Sequence, residues 1–302
     1  MAGRPAPDDV AAALELLRRA SDAGEGAASE RLAVFIALGL TASPDWKSAL
    51  DLLAMAASQG SAPASEQLQL LSDPEQDPSP GMGTGSENLR ATIDLPSRLQ
   101  AGRAETVRTA PLIRAYPAFA SAAECRWLIG SAMKKLAPAT VFDRATGRQI
   151  EHPVRDNHAA LYQVAELDFL AEVLRQRISN AVGIPVRFFE PPQIFRYSVG
   201  QRFKLHSDFF DPDNPGHVEE IAQRGQRVGT FLVYLNSDYQ GGETHFPAIG
   251  LNWRGETGTG LFFANVDRNG RPDRQTLHAG QPPSSGEKWV FSQWIRDRLP
   301  IA

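Results

Sequence analysis

Apolar positions in the first 72 residues recur at helical spacing, and the pattern occurs twice. "ALELLRRASDAGEGAASERLAVF" begins at Ala13 and "ALDLLAMAASQGSAPASEQLQLL" at Ala49, an offset of 36 residues. At that offset Leu14, Leu17, Ala20, Gly24, Ala28 and Leu32 coincide with Leu50, Leu53, Ala56, Gly60, Ala64 and Leu68. The spacing predicts two helix–turn–helix units with a glycine in each turn and small alanines where paired helices approach. From residue 73 the texture turns to Pro, Gly, Ser and acid, which predicts a flexible linker over 73–105. Amphipathic helices follow at 121–136, with Ser121 as its cap, and at 168–183, closed by Gly183. The polar, turn-rich stretch 139–161 between them reads as a loop. Beyond Gly183 come short β-type runs, "PQIFRYSV", "RFKLHSDFF", "VGTFLVYLN", "GTGLFFANV" and "KWVFSQWIR", separated by turns such as "DPDNPG" and "DRNGRP". Helices followed by many short strands predict an α+β fold, with helices packed on a β-sandwich or barrel.

Composition changes this picture little. The chain has 302 residues, 42% hydrophobic and 22% charged, enough for a large domain plus a small one. A net charge of −4 gives no global pull toward nucleic acid or an anionic membrane. No run of about 18 apolar residues predicts a membrane span, and the N-terminus lacks an apolar signal-peptide core. The single cysteine, Cys125, allows no internal disulfide and fits a reducing, cytoplasmic setting.

The candidate chemistry lies in "RFKLHSDFF". Side chains at i and i+2 of a strand share a face, so His206 and Asp208 can reach one ion while Ser207 points away. His278, in "QTLHAGQPPSSGEKW", is the best third ligand, brought in from a neighbouring strand. Two histidines and a carboxylate without thiolate suit non-haem Fe(II), and zinc takes the same set. No HExxH motif is present, and an HxD pair alone arises often by chance.

The surrounding order carries more. "YSVGQRFKLHSD", "YLNSDYQGGETHFP" and "LHAGQPPSSGEKWVFSQWIR" follow one another. Together they resemble the prolyl 4-hydroxylase family of Fe(II)/2-oxoglutarate-dependent dioxygenases, over roughly residues 108–299. The resemblance implies a double-stranded β-helix, or jelly-roll, with Fe(II) held by His206, Asp208 and His278 as the catalytic and metal residues. It implies 2-oxoglutarate as co-substrate, its far carboxylate held by Lys288, ten residues after His278, by Tyr197 and by the hydroxyl of Thr244. Ascorbate is a candidate accessory. Arg155 matches a family arginine in a loop over the active site, and Trp294 a family tryptophan near it; both are candidate substrate residues. The implied reaction is hydroxylation of prolyl residues in a protein or peptide, consuming O2 and releasing succinate and CO2. One departure stands out: the family commonly has tyrosine three residues before the first histidine ligand, and this chain has Phe203.

The N-terminal pattern, with Ala20, Gly24 and Ala28 repeated as Ala56, Gly60 and Ala64, resembles Sel1-like repeats, relatives of the tetratricopeptide repeat. The expected organisation is therefore a Sel1-like helical repeat domain over 1–72, a linker over 73–105 and a dioxygenase domain over 106–302. Helical solenoids offer grooves for partner segments, so the repeats are expected to help present the protein substrate. Other readings are a zinc hydrolase at the same triad, an oxygenase acting on another side chain or a small molecule, and a non-catalytic repeat-based interaction protein. His245, His152, His158 and His217 are expected to lie outside the metal site.

Overall fold

The computed structural model describes residues 7–40, 43–78, 85–143, 148–151 and 154–299. The chain divides into two compact units, one of residues 1–100, 164–187 and 302, the other of 101–163 and 188–301. In chain order the helices are α1 (Pro7–Asp22), α2 (Gly26–Leu38), α3 (Trp46–Ser58), α4 (Ala62–Ser72), α5 (Ser86–Thr92), α6 (Leu95–Leu99), α7 (Ala122–Met133), α8 (Phe169–Val182) and α9 (Pro215–Arg224). None of the described helices is long and apolar enough to cross a membrane.

The first unit is helical. α1 packs on α2, α2 on α3 and α3 on α4, giving two helix–turn–helix pairs in the positions the 36-residue offset predicts. Gly24 and Gly60, one in each turn, have φ of +93° and +91°, a backbone conformation closed to most side chains. Asp45 and Ser61 cap α3 and α4 by accepting hydrogen bonds from Ser48 N and Ala64 N. Leu14, Leu32, Leu50, Leu53 and Leu68 are buried between the helices. A buried polar chain ties the pairs together: Ser21 and Ser29 hydroxyls meet at 2.6 Å, Ser29 reaches Gln59 Oε1, and Gln59 Nε2 donates to Ser21 O.

Two parts of this unit were not expected. Residues 86–99, predicted as linker, form α5 and α6. Arg90 pairs with Asp51 at 2.6 Å, and Arg98 donates to Leu71 O at 2.8 Å. The Pro- and Gly-rich centre of the predicted linker, 79–84, lies outside the described residues. α8, predicted as part of the C-terminal domain, clusters with the N-terminal helices. Leu170 N donates to Gln67 Oε1, Arg31 to Leu167 O, and Phe169 packs edge-on against Trp46.

The second unit is mainly antiparallel sheet. Its strands are β1 (Glu105–Thr109), β2 (Leu112–Tyr116), β3 (Ala137–Pro138), β4 (Thr140–Asp143), β5 (Arg148–Glu151), β6 (His158–Leu161), β7 (Gln193–Tyr197), β8 (Phe203–His206), β9 (Arg227–Tyr234), β10 (Gln240–Gly241), β11 (Thr244–Phe246), β12 (Leu251–Trp253), β13 (Gly260–Ala264), β14 (His278–Gly280), β15 (Pro283–Ser285) and β16 (Lys288–Arg296). An eight-stranded sheet runs β1-β2-β13-β9-β16-β7-β6-β3, and a four-stranded sheet runs β12-β11-β14-β8. The stretch predicted as a loop at 139–161 contributes β6 and two short hairpin strands, β4 and β5. Their few residues alternate too briefly to read as strands. Residues 144–147 and 152–153, His152 among them, lie outside the described residues. His158 sits half-buried in β6 and His217 in α9 rather than in loops.

Register aligns the rows that face inward from the large sheet. Val290 pairs with Tyr234 and Phe195, Ser292 with Leu232, and Lys288 with Tyr197. Tyr234, Leu232, Leu261, Phe263 and Val290 pack with Phe246 of the small sheet in one core, which joins the two sheets face to face. A Ser121–Glu124 capping box closes the N-terminus of α7, and Cys125 on that helix is buried.

Candidate metal centre

β8 and β14 lie side by side with His206 opposite His278 in register, so adjacent strands carry the two rings to one point. Asp208 follows two residues after His206, just beyond the end of β8. The three ligand atoms of His206, Asp208 and His278 lie within 4.8 Å of one another. Asp208 Oδ1 is 3.6 Å from His206 Nε2, and Oδ2 is 3.7 Å from His278 Nε2.

Each ring is oriented the same way. Nδ1 of His206 bonds Lys204 O at 2.8 Å, and Nδ1 of His278 bonds Thr276 O at 3.0 Å, each a carbonyl two residues back. A carbonyl only accepts, so each Nδ1 carries the proton and each Nε2 presents a lone pair toward Asp208. Burial, then the neighbouring His278, depress the His206 imidazole to about 3. Burial alone would raise Asp208; the two histidines and a Thr230 hydrogen bond outweigh it and hold the carboxyl below its ordinary value. Two imidazoles that turn Nε2 toward one carboxylate, with no thiolate, form a donor set that fits a divalent first-row metal such as Fe(II). His245 is turned elsewhere, its Nδ1 2.5 Å from Asn252 Oδ1.

The triad lines a small cavity walled by both sheets, whose lining also includes Tyr197, Thr244 and Lys288. Lys288 is 2% exposed. Its Nζ donates to Gly242 O at 2.7 Å and lies over the rings of Tyr197 and Tyr234 at 5.3 and 5.5 Å. Among the described residues no carboxylate forms an ion pair with it. Burial pushes the ammonium down to about 7, against a smaller upward pull from Glu243. A buried cation with no ion-pair partner among the described residues, lining the same cavity as the triad, fits an anionic group of a bound small molecule. Burial also raises the phenols of Tyr197 and Tyr234, so both hydroxyls stay protonated and can donate. Thr244 Oγ1 and Tyr234 OH are 2.8 Å apart. Tyr234 was not singled out from sequence; the alternation of β9, with Leu232 and Tyr234 on one face, is the signal that locates it.

The remaining sequence candidates sit at or beyond the cavity's edge. Arg155 is not a solvated loop residue. It bridges to Phe203, its guanidinium carbon is 5.2 and 5.4 Å from the Phe195 and Phe203 rings, and its buried Nε has no partner among the described residues. Phe203 lies flat on His206, ring centroids 3.5 Å apart and planes 8° apart. Where the family places a hydroxyl, this chain places a stacking surface that fixes a metal-facing ring. Trp294 is not among the cavity-lining residues; the Arg227 guanidinium carbon lies 3.8 Å from its ring centroid. Arg227 in turn pairs with Glu190 at 2.6 and 2.8 Å, and Arg296 bonds the same carboxylate. Burial would raise Glu190, but the two guanidiniums hold it below its ordinary value.

The chain is similar to known proteins. The family model of the 2OG-Fe(II) oxygenase superfamily matches residues 192–296. The chain is 33% identical over 205 residues to "Probable prolyl 4-hydroxylase 9" of Arabidopsis thaliana, covering 61% of this chain and 68% of that protein. It is 32% identical over 205 residues to prolyl 4-hydroxylase 13 of the same plant, covering 62% and 72%. Among solved structures, the 2OG complex of a viral collagen prolyl hydroxylase from Paramecium Bursaria Chlorella virus-1 is 27% identical. That match has a TM-score of 0.48 and covers 61% of this chain and 95% of that one.

Proposed function

The chain belongs to the prolyl 4-hydroxylase family of 2OG-Fe(II) oxygenases, and from that premise we propose that it hydroxylates prolyl residues in a protein or peptide. It is a 2-oxoglutarate-dependent dioxygenase, with Fe(II) as its metal. Zinc-hydrolase and non-catalytic readings do not survive that membership. The observation that carries the proposal is that the His206–Asp208–His278 cluster and a buried lysine with no ion-pair partner among the described residues line one cavity.

In this reading the Nε2 atoms of His206 and His278 and one Asp208 oxygen would hold the metal. Bound there, Fe(II) with 2-oxoglutarate and O2 supplies the oxidation, turning the keto acid into succinate and CO2 and adding one oxygen atom to a substrate C–H bond. The chain's own residues bind and orient. Lys288 neutralises the distal carboxylate, and the protonated Tyr197 hydroxyl donates to it. Thr244, already bonded to Tyr234, offers a further hydroxyl. Leu232, Val290 and Phe195 keep the cavity wall apolar, which strengthens each of these contacts. Arg155, whose Nε–H has no partner among the described residues, and Trp294 are read as substrate residues.

Further parts of the reading rest on sequence. The two facing antiparallel sheets are read as a double-stranded β-helix, and the N-terminal helix pairs as Sel1-like repeats that help present a protein substrate. Ascorbate as accessory and a cytoplasmic site of action belong to the same reading. A second reading, hydroxylation of another side chain or a small molecule, is favoured by Phe203, because its ring is committed to His206 and carries no hydroxyl for substrate.

The test is anaerobic addition of Fe(II) and then 2-oxoglutarate to the metal-stripped protein. A visible charge-transfer band of the chelated keto acid is expected, abolished in Asp208→Ala and weakened at least tenfold in apparent affinity in Lys288→Ala. Succinate release should then rise on adding a proline-containing peptide and not its alanine counterpart. No band in folded, iron-loaded protein defeats the site assignment; a band without proline dependence leaves the second reading.

A further inference from the structure

Asp208 is tethered from outside the cluster. Thr230 Oγ1 donates to Asp208 Oδ2 at 2.7 Å, and Asn265 Nδ2 donates to Thr230 Oγ1 at 3.0 Å. All three side chains are buried, Thr230 and Asn265 at 1% and 0% exposure. Thr230 comes from β9, where its register partner on β13 is Phe263, and Asn265 directly follows β13. The relay is thus built by neighbouring strands of the large sheet, whereas both histidines come from the small one.

Its direction is fixed by chemistry. A carboxylate only accepts, so the hydroxyl proton of Thr230 must point at Asp208. The hydroxyl then faces Asn265 with a lone pair, and Asn265 must answer with its amide nitrogen. That orientation leaves Asn265 Oδ1 buried without a partner among the described residues, a cost native folds rarely carry unexplained. Flipping the amide would set two acceptors against each other at 3.0 Å. The orphaned oxygen therefore marks a residue held for what its nitrogen does.

We propose that Thr230 and Asn265 are positioning residues for the metal. They hold Asp208 by Oδ2 and so fix the orientation of its carboxylate beside the two Nε2 atoms. The inference rests on the assignment of the triad as the Fe(II) site. With both oxygens free the carboxylate could turn, and the three donors would no longer converge before the metal arrives.

The experiment is anaerobic titration of the metal-stripped full chain with Fe(II), and with Co(II) for its ligand-field spectrum. Thermal unfolding of the metal-free proteins is recorded alongside. Thr230→Val keeps the shape and removes the hydroxyl; about 10–100-fold weaker binding and an altered Co(II) spectrum are expected. Thr230→Ser restores the donor and should bind within about threefold of the native chain, with its spectrum. Asn265→Leu removes the orphaned oxygen with the donor, so metal binding should weaken while metal-free stability holds or rises. Native-like binding and spectrum in Thr230→Val, or a Thr230→Ser variant as weak as the valine, overturn the proposal. If Thr230→Val does not fold, native-like binding by Asn265→Leu overturns it instead. A native chain that binds neither metal defeats the triad assignment and not the relay alone.

Discussion

Lys288 makes the sharpest residue-level prediction, because burial moves its charge change to neutral pH. An unfolded lysine titrates near 10.4, the folded one at about 7. Between those values the unfolded chain holds a proton that the folded chain lacks. Stability of the ligand-free protein should therefore rise with pH across that window, with its penalty fully present below about 7. Lys288→Met should flatten the slope, as read from denaturant midpoints at pH 6.5, 8 and 9.5. Binding reverses the balance, since an anionic carboxylate restores the ammonium. Affinity for 2-oxoglutarate should fall by up to about tenfold per pH unit above neutrality, and calorimetry in buffers of different ionisation enthalpy should register proton uptake. A pH-independent affinity would mean that Lys288 keeps its proton in the empty cavity. The residues that carry this chemistry were legible in two ways: strand spacing brought His206 and Asp208 forward, and the ordered motifs of the family resemblance brought Tyr197, His278 and Lys288. Thr230 and Asn265 were not, because each owes its place to which strands are neighbours. Pairing across a sheet leaves no local mark in the chain.

Among elements, the helical pairs were read correctly from period and glycine spacing, since turn and amphipathic face are both local properties. The two copies nevertheless differ in a way that single-variant stability can measure. Gly60 has φ +91° and open space where a Cβ would stand, so Gly60→Ala should cost only backbone strain, about 1–2 kcal/mol. Gly26 starts α2 with no left-handed requirement, but its Cβ would lie 2.9 Å from Ala56 O and 3.1 Å from Ser61 N. Backbone cannot yield as a side chain does, so Gly26→Ala should force α2 away from the end of α3 and cost more than Gly60→Ala. Its counterpart 36 residues on is Ala62, which is exposed. Urea unfolding of both variants decides the order; equal effects would mean that α2 shifts freely on α3. α5 and α6 escaped sequence reading because seven- and five-residue helices are too short to repeat an apolar face. The strands within 139–161 escaped because strands of two to four residues show no alternation.

At the scale of the whole chain, the organisation departs from a string of beads. α8 follows β6 and precedes β7, yet it clusters with residues 1–100, so the second unit is interrupted by a helix whose partners lie far upstream. Nothing local in "DFLAEVLRQRISNAVG" discloses this; amphipathic spacing says that a face is buried, not against what. The contacts are specific: Phe169 against Trp46, Leu170 N on Gln67, Arg177 on Arg98 O and Asn180 on Leu99 O. Phe169, Leu170, Val173, Leu174 and Ile178 are all buried. Each such side chain contributes about 1.5–3 kcal/mol when buried, and a domain's net stability is only about 5–15 kcal/mol. Losing the cover of even three of them consumes most of that margin. A chain truncated to residues 101–302 keeps every residue of the metal cluster and the cavity. It is nevertheless expected to aggregate or to unfold well below the full-length protein in size-exclusion and thermal measurements. Loss of turnover on such a truncation would then report a stripped helix rather than a lost docking surface. A soluble truncated chain showing the full charge-transfer band would overturn this account and make the second unit an independent catalytic body, so that any remaining loss on long polypeptide substrates could be ascribed to the N-terminal helices.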